Sequence, residues 1–333
     1  MKVDVKKLLI ANSILGIIIL GTIICIFVSF NRYLHSPASK KKEVKYVSID
    51  KGEEIKDIIK KLYKEKIIRK ADWFYYYVIL SGISKNIKAG MHKFSTHLTP
   101  EQVGKELVSS KTFTIKVTIP EGYTIKQIAE VLDKYGITKK EEFLKVCNDR
   151  QFIHSLSIEA PSLEGFLFPD TYFFYYGEKT EDIIKTMINQ FNKVYNKLSP
   201  KNVDKYKILK IASIIEKEVS QDKEKPLVAA VIYNRLKKRM RLYMDSTLIY
   251  GLPNFDGDLK KEDLKQSIPY NTYLFYGLPP TPICNPGKKS LIAAIHPEDI
   301  GYLYFVSKND GTHIFSNNLG QQRIWVRKYQ KKI

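Results

Sequence analysis

Cysteine is scarce in this sequence, which has three in 333 residues: Cys25, Cys147 and Cys284. Cys25 falls in a long apolar segment, and neither of the other two has a CxxC partner or a histidine beside it. A fold of this length with so few cysteines does not depend on disulfides. We therefore interpret Cys147 and Cys284 as ordinary packed thiols.

The sequence also lacks the short motifs that mark several enzyme classes. It contains no GxSxG, no Walker phosphate loop and no Rossmann glycine fingerprint, which argues against α/β-hydrolases and nucleotide-binding enzymes. Its six histidines form no HExxH pattern and no Cys/His spacing suited to zinc. We expect neither a metal nor another cofactor.

Acidic residues are few relative to basic ones, because 35 Asp and Glu stand against 55 Lys and Arg, a formal charge of +20. Such an excess favours residence near a polyanion, such as nucleic acid, anionic lipid or an acidic wall polymer. The basic residues are spread along the chain, without a stripe or a nucleic-acid motif. Lipid and wall polymer therefore rank above nucleic acid, and we expect no nucleic-acid partner.

The N-terminal segment from Leu8 to Phe30 carries no charged residue. As a helix it would be about 34 Å long, enough to cross the hydrocarbon core of a bilayer. A cleaved signal peptide is the alternative, but its apolar region would be shorter and would end in small residues, whereas Phe27 and Phe30 close this one. We predict a short cytoplasmic N-terminus at residues 1–7 and an uncleaved span at residues 8–30. Basic residues flank both ends, so the positive-inside rule does not decide the orientation.

A sequence repeat follows a polar, basic linker that we place at residues 31–44. Residues 47–62 and 117–132 align without gaps, and each copy predicts a short strand, a glycine turn and an amphipathic helix. The repeat therefore indicates two strand–turn–helix modules. We assign the second module to residues 113–160.

The first copy is extended by an aromatic run at residues 73–80, a predicted strand at 89–95 and a further helix at 100–109. The resulting order of strand, helix, helix and strand resembles a LysM-like glycan-binding module, and we assign residues 45–112 to it. Two such units packed against one another, without glycan binding, are the alternative.

Two glutamates on one predicted helix are candidates for chemistry. Residues 207–221 have apolar side chains at the spacing of a helix with one buried face, and Glu216 and Glu218 fall on opposite edges of that face. Partial burial would raise the pKa of a carboxyl group and leave it a proton to donate near neutral pH, as a general acid requires. Exposed carboxylates paired with Lys217 or Lys223 are the alternative. Periodicity does not choose between the two glutamates.

The segment at residues 267–297 is loop-like, with several prolines, yet it is rich in Tyr and Asn. Stiff prolines combined with these residues suit a sugar groove, because sugar rings stack on aromatic side chains and amides bond to N-acetyl and hydroxyl groups. Composition at this level indicates such a groove without identifying the sugar.

Several motifs follow one another in a fixed order from Leu163 to Ser316: LEGFLFPDTY, ASIIEKE, VAAVIYNRLKKRMRLYMDSTLIYG, PYNTYLFYGLPPTPICNPG, AAIHP, YLYFV and HIFS. Together with the single N-terminal span, they resemble the endolytic murein transglycosylase family, the YceG-like proteins also called MltG. The resemblance implies an extracytoplasmic catalytic domain, residues 161–333, that cuts nascent glycan strands internally beside the membrane.

The resemblance also implies roles for individual residues. Lytic transglycosylases typically present their acid as I-I-x-x-E, and this pattern selects Glu218, with Glu216 as the second choice. A single glutamate would protonate the oxygen between MurNAc and GlcNAc and then take the proton of the C6 hydroxyl, which forms a 1,6-anhydro ring without consuming water. The residues expected to bind substrate are Asp245, Thr247, Tyr250, Asn271, Tyr273 and His313.

Other carboxylates and one departure from the family complete the candidate site. Glu164, Asp170 and Asp245 are candidates for a second carboxylate, which ordinary glycosidases require. We interpret Asp245 as an organiser of the cleft loop. Ser246 stands where the family more often has Pro, which leaves the shape of that turn open.

We predict an α+β fold with a single N-terminal transmembrane helix, the LysM-like module, an α-rich transglycosylase-type catalytic domain and a mixed C-terminal part with a strand at residues 302–306. The expected partners are peptidoglycan glycan strands, membrane lipid through the anchor and, by family analogy, cell-wall synthases of the elongation or division machinery. The protein is expected in the cell (inner) membrane with its catalytic domain outside the cytoplasm. A hydrolytic muramidase and a non-catalytic, membrane-anchored wall-binding scaffold are the alternatives.

Overall fold

The structure is a computed structural model, which describes residues 5–50, 52–109, 114–175, 178–198, 203–253 and 255–330. It combines helices and strands, in agreement with the predicted α+β class. The chain divides into two compact units, one formed by residues 1–115 with 175–177 and the other by residues 116–174 with 178–333.

The first unit begins with the apolar helix α1 (Val5–Leu34), whose large side chains from Ile14 to Val28 are exposed. Residues Ser13–Leu34 are long and apolar enough to cross a membrane. The helix continues past the predicted end of the span at residue 30, and Tyr33 is buried with its hydroxyl donating to the carbonyl of Lys70 at 2.9 Å. Residues 31–34, the beginning of the predicted linker, are therefore helical, and Tyr33 packs on the folded part of this unit.

The rest of the first unit has the predicted order of strand, helix, helix and strand. Its elements are β1 (Val44–Ile49), α2 (Ile55–Lys64), α3 (Ala71–Leu80), β2 (Gly90–Ser95) and α4 (Pro100–Val108). Strands β1 and β2 are antiparallel, with Val44 opposite Ser95. The helices pack on one face of this sheet around a core that includes Leu62, Phe74 and Phe94. Helix α4 begins with the capping box of Thr99 and Gln102.

The second copy of the repeat also forms the predicted strand, turn and helix. Strand β3 (Thr114–Thr118) is followed by α5 (Ile125–Lys134), which Thr124 and Gln127 cap in the same way as in α4. Strand β3 pairs with β4 (Thr171–Tyr175), so residues distant in sequence complete this small sheet. Helices α6 (Lys140–Cys147) and α7 (Arg150–Ser155) lie between the two strands in the chain.

The remaining elements of the second unit are α8 (Thr180–Leu198), α9 (Lys205–Glu218), α10 (Lys225–Lys237), α11 (Asp245–Gly251), α12 (Lys288–Ile295), β5 (Tyr304–Ser307), β6 (His313–Ser316) and α13 (Leu319–Tyr329). Helix α9 packs against α10, α11 and α12. Strands β5 and β6 form an antiparallel hairpin, and β5 contains most of the strand predicted at residues 302–306. Cys147 and Cys284 are free and buried, as predicted.

Candidate active site

Helix α9 carries both candidate glutamates. Asp204 caps its start, because its side chain accepts hydrogen bonds from the backbone N–H groups of Tyr206 at 2.9 Å and Lys207 at 3.1 Å. The prediction of a single buried face is wrong, since every residue from 211 to 215 is buried where α10, α11 and α12 pack around the helix. The helix ends at Glu218, earlier than the predicted end at residue 221, because Val219 has extended backbone.

Glu218 is partly buried at the C-terminal end of α9 and lines a cavity of about 890 Å³. The Ser246 hydroxyl donates a hydrogen bond to its Oε1 at 2.6 Å. Burial raises the pKa of Glu218 above its ordinary value; the Ser246 hydroxyl opposes this rise, and the nearby charge of Asp245 adds to it. The net direction favours the protonated form, which is the form a general acid needs.

Glu216 has a different environment, although it is only one residue removed from Glu218 in the chain. Its Oε2 accepts hydrogen bonds from the backbone N–H of Gly287 at 2.9 Å and from the Ser290 hydroxyl at 2.7 Å. Its Oε1 lies 3.3 Å from the Lys225 ammonium, and the two side chains are 9% and 4% exposed. These contacts occupy both oxygens and join α9 to α10 and α12. They are the contacts of a structural buried ion pair.

Asp245 is the first residue of α11 and lies beside Ser246 in the wall of the cavity. It is exposed, and it accepts a hydrogen bond from the hydroxyl of Tyr273. Burial raises the pKa of Tyr273, so its hydroxyl remains a proton donor to Asp245. The Tyr243 ring lies 5.4 Å from the ring of Tyr273, centroid to centroid. The start of α11 thus presents one carboxylate and one hydroxyl to the neighbourhood of Glu218.

Glu164 supplies a further carboxyl group to the same cavity and is 2% exposed. Its oxygens accept hydrogen bonds from the Ile125 backbone N–H at 3.1 Å, the Asn285 amide at 2.9 Å and the Tyr250 hydroxyl at 3.0 Å. Burial raises the pKa of Glu164 to about 7, and these three donors limit the rise. This carboxyl group therefore titrates near neutral pH.

The position of Glu164 depends on a close approach between its segment and the proline-rich loop. Gly165 has φ +91°, and a Cβ atom there would lie 2.7 Å from the Pro282 side chain, so only glycine fits. Asn285 joins the two segments, because its Oδ1 accepts from the backbone N–H of Leu167 at 2.8 Å while its amide donates to Glu164 and to the carbonyl of Tyr123.

The wall of the cavity combines polar and apolar side chains. The polar and charged residues include Lys126, Gln127, Asn148 and Lys217, and the apolar residues include Ile249 and Phe255. A mixture of amide, ammonium and apolar groups can contact both the hydroxyl-bearing edges and the flat faces of sugar rings. The cavity therefore offers hydrogen-bonding and apolar contacts beside its carboxyl groups.

Of the six residues predicted to bind substrate, Asp245 and Tyr250 line this cavity. Thr247 is fully buried, and its hydroxyl bonds to the carbonyl of Met244 at 2.8 Å and to the Thr272 hydroxyl at 2.9 Å. Asn271 is also fully buried and donates to the carbonyls of Leu264 and Gln266. Both side chains hold loops together, and neither is exposed to a ligand in this structure.

Tyr273 reaches the cavity through its hydrogen bond to Asp245. His313 lies on β6, where its Nδ1 is 2.7 Å from Oε2 of Glu224 and its ring packs against Phe305. The candidate second carboxylate Asp170 is exposed and accepts from the Gln190 amide at 2.6 Å. Asp170 is absent from the described residues that line the cavity, whereas Glu164 and Asp245 are present among them.

The arrangement of these motifs agrees with a family comparison. A model of the YceG-like family matches residues 47–328, most of the chain. The chain belongs to the YceG-like family. This membership confirms the resemblance predicted from the motifs.

Curated relatives and a solved structure extend the comparison. A Bacillus subtilis (strain 168) protein named endolytic murein transglycosylase is 34% identical over 322 residues, which cover 90% of this chain and 89% of that protein. A Streptococcus pneumoniae (strain D39) protein of the same name is 28% identical over 317 residues, covering 84% of this chain and 57% of that protein. A yceG-like protein from Listeria monocytogenes, known from a crystal structure, is 35% identical in sequence to this chain. The two structures align with a TM-score of 0.57 over 86% of this chain and all of that one.

Two contacts of this YceG-like chain were not predicted from its sequence. The Ser246 hydroxyl was considered only as a departure from the usual Pro, but it bonds directly to Glu218. Asn285 belongs to a recognised motif, yet its bond to Glu164 joins residues 121 positions apart. The motifs signalled both regions, but one sequence does not indicate which side chains meet across such distances.

Proposed function

We propose that this chain is a lytic transglycosylase that cuts peptidoglycan glycan strands internally, with Glu218 as its single general acid and base. The observation that carries the proposal is the position of Glu218, a partly buried carboxyl group of raised pKa in the cavity, hydrogen-bonded to Ser246. The relatives named endolytic murein transglycosylase support the choice of reaction and substrate.

In the first half of the proposed reaction, protonated Glu218 donates its proton to the glycosidic oxygen between MurNAc and GlcNAc. The bond from that oxygen to C1 of MurNAc breaks, and the 2-acetamido group stabilises the positive charge that develops there. The direction of the Glu218 pKa supports this step, since burial raises the pKa and so favours the protonated carboxyl group. The GlcNAc-containing part leaves with a new hydroxyl group.

In the second half, the Glu218 carboxylate accepts the proton of the C6 hydroxyl of MurNAc while the C6 oxygen bonds to C1. The product is a 1,6-anhydro ring, the carboxyl group is again protonated, and no water is consumed. The Ser246 hydroxyl can hold the carboxylate oxygen in place between the two steps. One acid therefore suffices, unlike the pair of carboxylates in ordinary glycosidases.

We assign the remaining residues according to their contacts. Asp245 and Tyr250, which line the cavity, are proposed to contact the glycan, and Tyr273 is proposed to orient Asp245. Thr247 and Asn271 are proposed to hold the surrounding loops, because their side chains are buried and bonded within the protein. The bond to Glu224 supports the same kind of role for His313.

The central test compares Glu218→Gln with Glu216→Gln in purified full-length protein. The first change keeps the size of the side chain and an acceptor for Ser246, but it removes the transferable proton. We expect turnover to fall by about 10²–10⁴ or more, because general acid–base catalysis contributes roughly that factor. The matched control, Glu216→Gln, removes the buried one of the two carboxylate partners of Lys225 and leaves exposed Asp222, so it should lower the thermal stability while the folded protein still turns over.

Mass spectrometry of the digested glycan identifies the reaction. Anhydro products should be lighter than hydrolytic ones by the mass of one water, about 18 Da, because no solvent is added to the glycan. Loss of turnover in folded Glu216→Gln, with Glu218→Gln fully active, would move the acid to Glu216. Glycan binding without turnover in the unmodified protein would favour a wall-binding scaffold.

A hydrolytic muramidase is the second candidate, because Asp245 and Glu164 supply further carboxyl groups to the cavity. In that reaction one of them would activate a water molecule, and the products would carry reducing-end MurNAc. Incubation in H₂¹⁸O separates the two reactions. Incorporation of ¹⁸O into MurNAc ends supports the hydrolase, and its absence from anhydro ends supports the transglycosylase.

We also propose that α1 is an uncleaved anchor and that the catalytic unit lies outside the cytoplasm, where peptidoglycan is found. The apolar length of Ser13–Leu34 supports a span. A reporter fused after residue 333 that is active only in the cytoplasm would contradict this orientation. The order β1, α2, α3, β2 supports a LysM-like glycan-binding role for the first unit, and cell-wall synthases are the partners proposed by family analogy, to be sought by co-purification in detergent.

A further inference from the structure

The helix α3 carries an exposed apolar stripe beside the candidate membrane span. Tyr76, Ile79 and Leu80 are 58%, 42% and 80% exposed, respectively. Residues 73, 76 and 80 have the i, i+3, i+7 spacing of one helix face, so Trp73 belongs to the same stripe. Contiguous exposed apolar side chains of this kind mark a surface that another partner covers.

Contacts within the first unit give the direction of this stripe relative to α1. Arg69 lies 3.4 Å from the carbonyl of Ser36, Tyr33 bonds to the carbonyl of Lys70, and the Trp73 ring lies 5.7 Å from the Phe30 ring. From Arg69 to Trp73, the contacted residues run backwards from Ser36 to Phe30, so the two segments are antiparallel. The start of α3 therefore runs back along α1, from its polar end towards its apolar part.

This direction brings the stripe towards the level of the lipid. Phe30 is the last residue of the uncharged segment, so Trp73 lies beside the end of the uncharged part of the candidate span. Leu80 is seven residues beyond Trp73, about 10 Å further along α3. Tryptophan and tyrosine are the residues enriched at membrane–water interfaces, where their rings lie at the headgroup level.

Basic groups outnumber the acidic one beside the stripe, which fits an anionic lipid surface. The Lys70 ammonium lies 4.0 Å from the centre of the Trp73 ring. One neighbouring cavity is lined by Lys56, Lys60, Asp72, Tyr75 and Tyr76. Ammonium groups beside aromatic rings can reach lipid phosphates while the rings remain at the headgroup level.

We propose that the stripe of Trp73, Tyr76, Ile79 and Leu80 lies in the membrane–water interface, so that lipid contacts the first unit at a second place besides the span. The inference rests on the proposed anchorage through α1. Its consequence is that the first unit is held against the bilayer at a fixed side, rather than tethered freely.

The test places single tryptophan reporters in the full-length protein. The chain has two tryptophans, so W73F/W325F removes the native signal while Phe keeps a ring against Phe30. Into this background we introduce L80W on the stripe or, as the matched control, Y46W, which replaces a tyrosine that is 48% exposed on the sheet face opposite the core helices. Both proteins are placed in lipid nanodiscs that contain phosphatidylglycerol and phosphatidylcholine with brominated acyl chains.

We expect the L80W reporter to emit at shorter wavelength in nanodiscs and to be quenched most by bromines near the headgroups, whereas the Y46W reporter keeps the emission of a tryptophan in water. Water-like, unquenched emission from L80W, or equal quenching of both reporters, would overturn the proposal. Two further results would overturn it. An emission change in L80W caused by soluble glycan without lipid would assign the stripe to glycan, and a change that grows with protein concentration in detergent would assign it to a second copy.

A separate label reports on the anchor itself. Cys25 is exposed in α1, whereas Cys147 and Cys284 are buried, so a thiol-reactive fluorophore can be attached to Cys25. Deep bromines quench this label if the span is inserted, whatever the stripe does. A quenched Cys25 label with water-like L80W emission refutes the stripe alone, and an unquenched label refutes the anchor.

Discussion

Replacing Ser246 by alanine is expected to move the pH dependence of the proposed reaction without abolishing it. Ser246 donates to Oε1 of Glu218 at 2.6 Å, and a hydrogen bond of this kind stabilises the carboxylate relative to the protonated acid. Ser246→Ala removes the donor, so the pKa of Glu218 rises further above its ordinary value. A larger fraction of the enzyme then holds the proton at alkaline pH.

The magnitude follows from the strength of the bond. A hydrogen bond to a charged group contributes about 1.5–3 kcal/mol, and solvent entering the cavity replaces part of that contribution. Since one pH unit corresponds to about 1.4 kcal/mol, the alkaline limit of activity should move upward by about one pH unit. The rate at low pH should fall less than tenfold, because the acid itself is retained.

The assay is the rate of anhydro-product release from purified glycan strands, measured across pH with the unmodified protein, Ser246→Ala and Ser246→Thr. The threonine keeps the hydroxyl and should leave the alkaline limit in place. Ser246→Pro removes the backbone donor as well and should move the limit at least as far as alanine does. An unchanged limit in Ser246→Ala, or a shift towards acid pH, would refute the assignment of Ser246 to the charge state of Glu218.

Further predictions concern the buried network around Glu164. Because its pKa of about 7 lies above the ordinary 4.5, the folded protein retains a proton that the unfolded chain releases, and stability should fall as pH rises between these values. Glu164→Gln, in which Tyr250 can accept from the new amide, should flatten that slope in denaturant titrations at several pH values; an unchanged slope would show that other groups cause it. Asn285→Ala should lower the free energy of unfolding by at least about 2 kcal/mol, because it leaves the buried Leu167 N–H unpaired and removes one donor from Glu164. The control Asn148→Ala, which removes one exposed bond to the carbonyl of Leu144, should change stability by less than about 1 kcal/mol, and an equal loss in both variants would contradict the role of Asn285.

Local patterns were sufficient to predict much of the fold. The uncharged run of α1 and the two copies of the strand–turn–helix repeat follow from the spacing of residues that lie close together in the sequence. Such signals are local because hydrophobic periodicity and end caps involve residues only a few positions apart. The order of the motifs was likewise sufficient to indicate the family.

Tertiary packing distinguishes the environments of the two glutamates, which helical periodicity did not separate. A helical wheel assumes one buried face, but α9 is surrounded by three other helices, so its apolar spacing did not describe its environment. The same assumption gave Glu216 and Glu218 equivalent positions at the edges of that face. Their environments differ because Glu216 meets Lys225 and Ser290, whereas Glu218 meets Ser246.

Local spacing and the order of the motifs therefore predict most of the elements and the family, and the family resemblance favours Glu218 over Glu216 as the proposed acid. Packing between distant segments places Glu218 in the cavity and Glu216 in an ion pair. The physical reason is that the charge state and contacts of a carboxyl group depend on burial and on donors brought from elsewhere in the chain. For Glu218 and Glu216 these donors are Ser246 and Ser290, which lie 28 and 74 positions away.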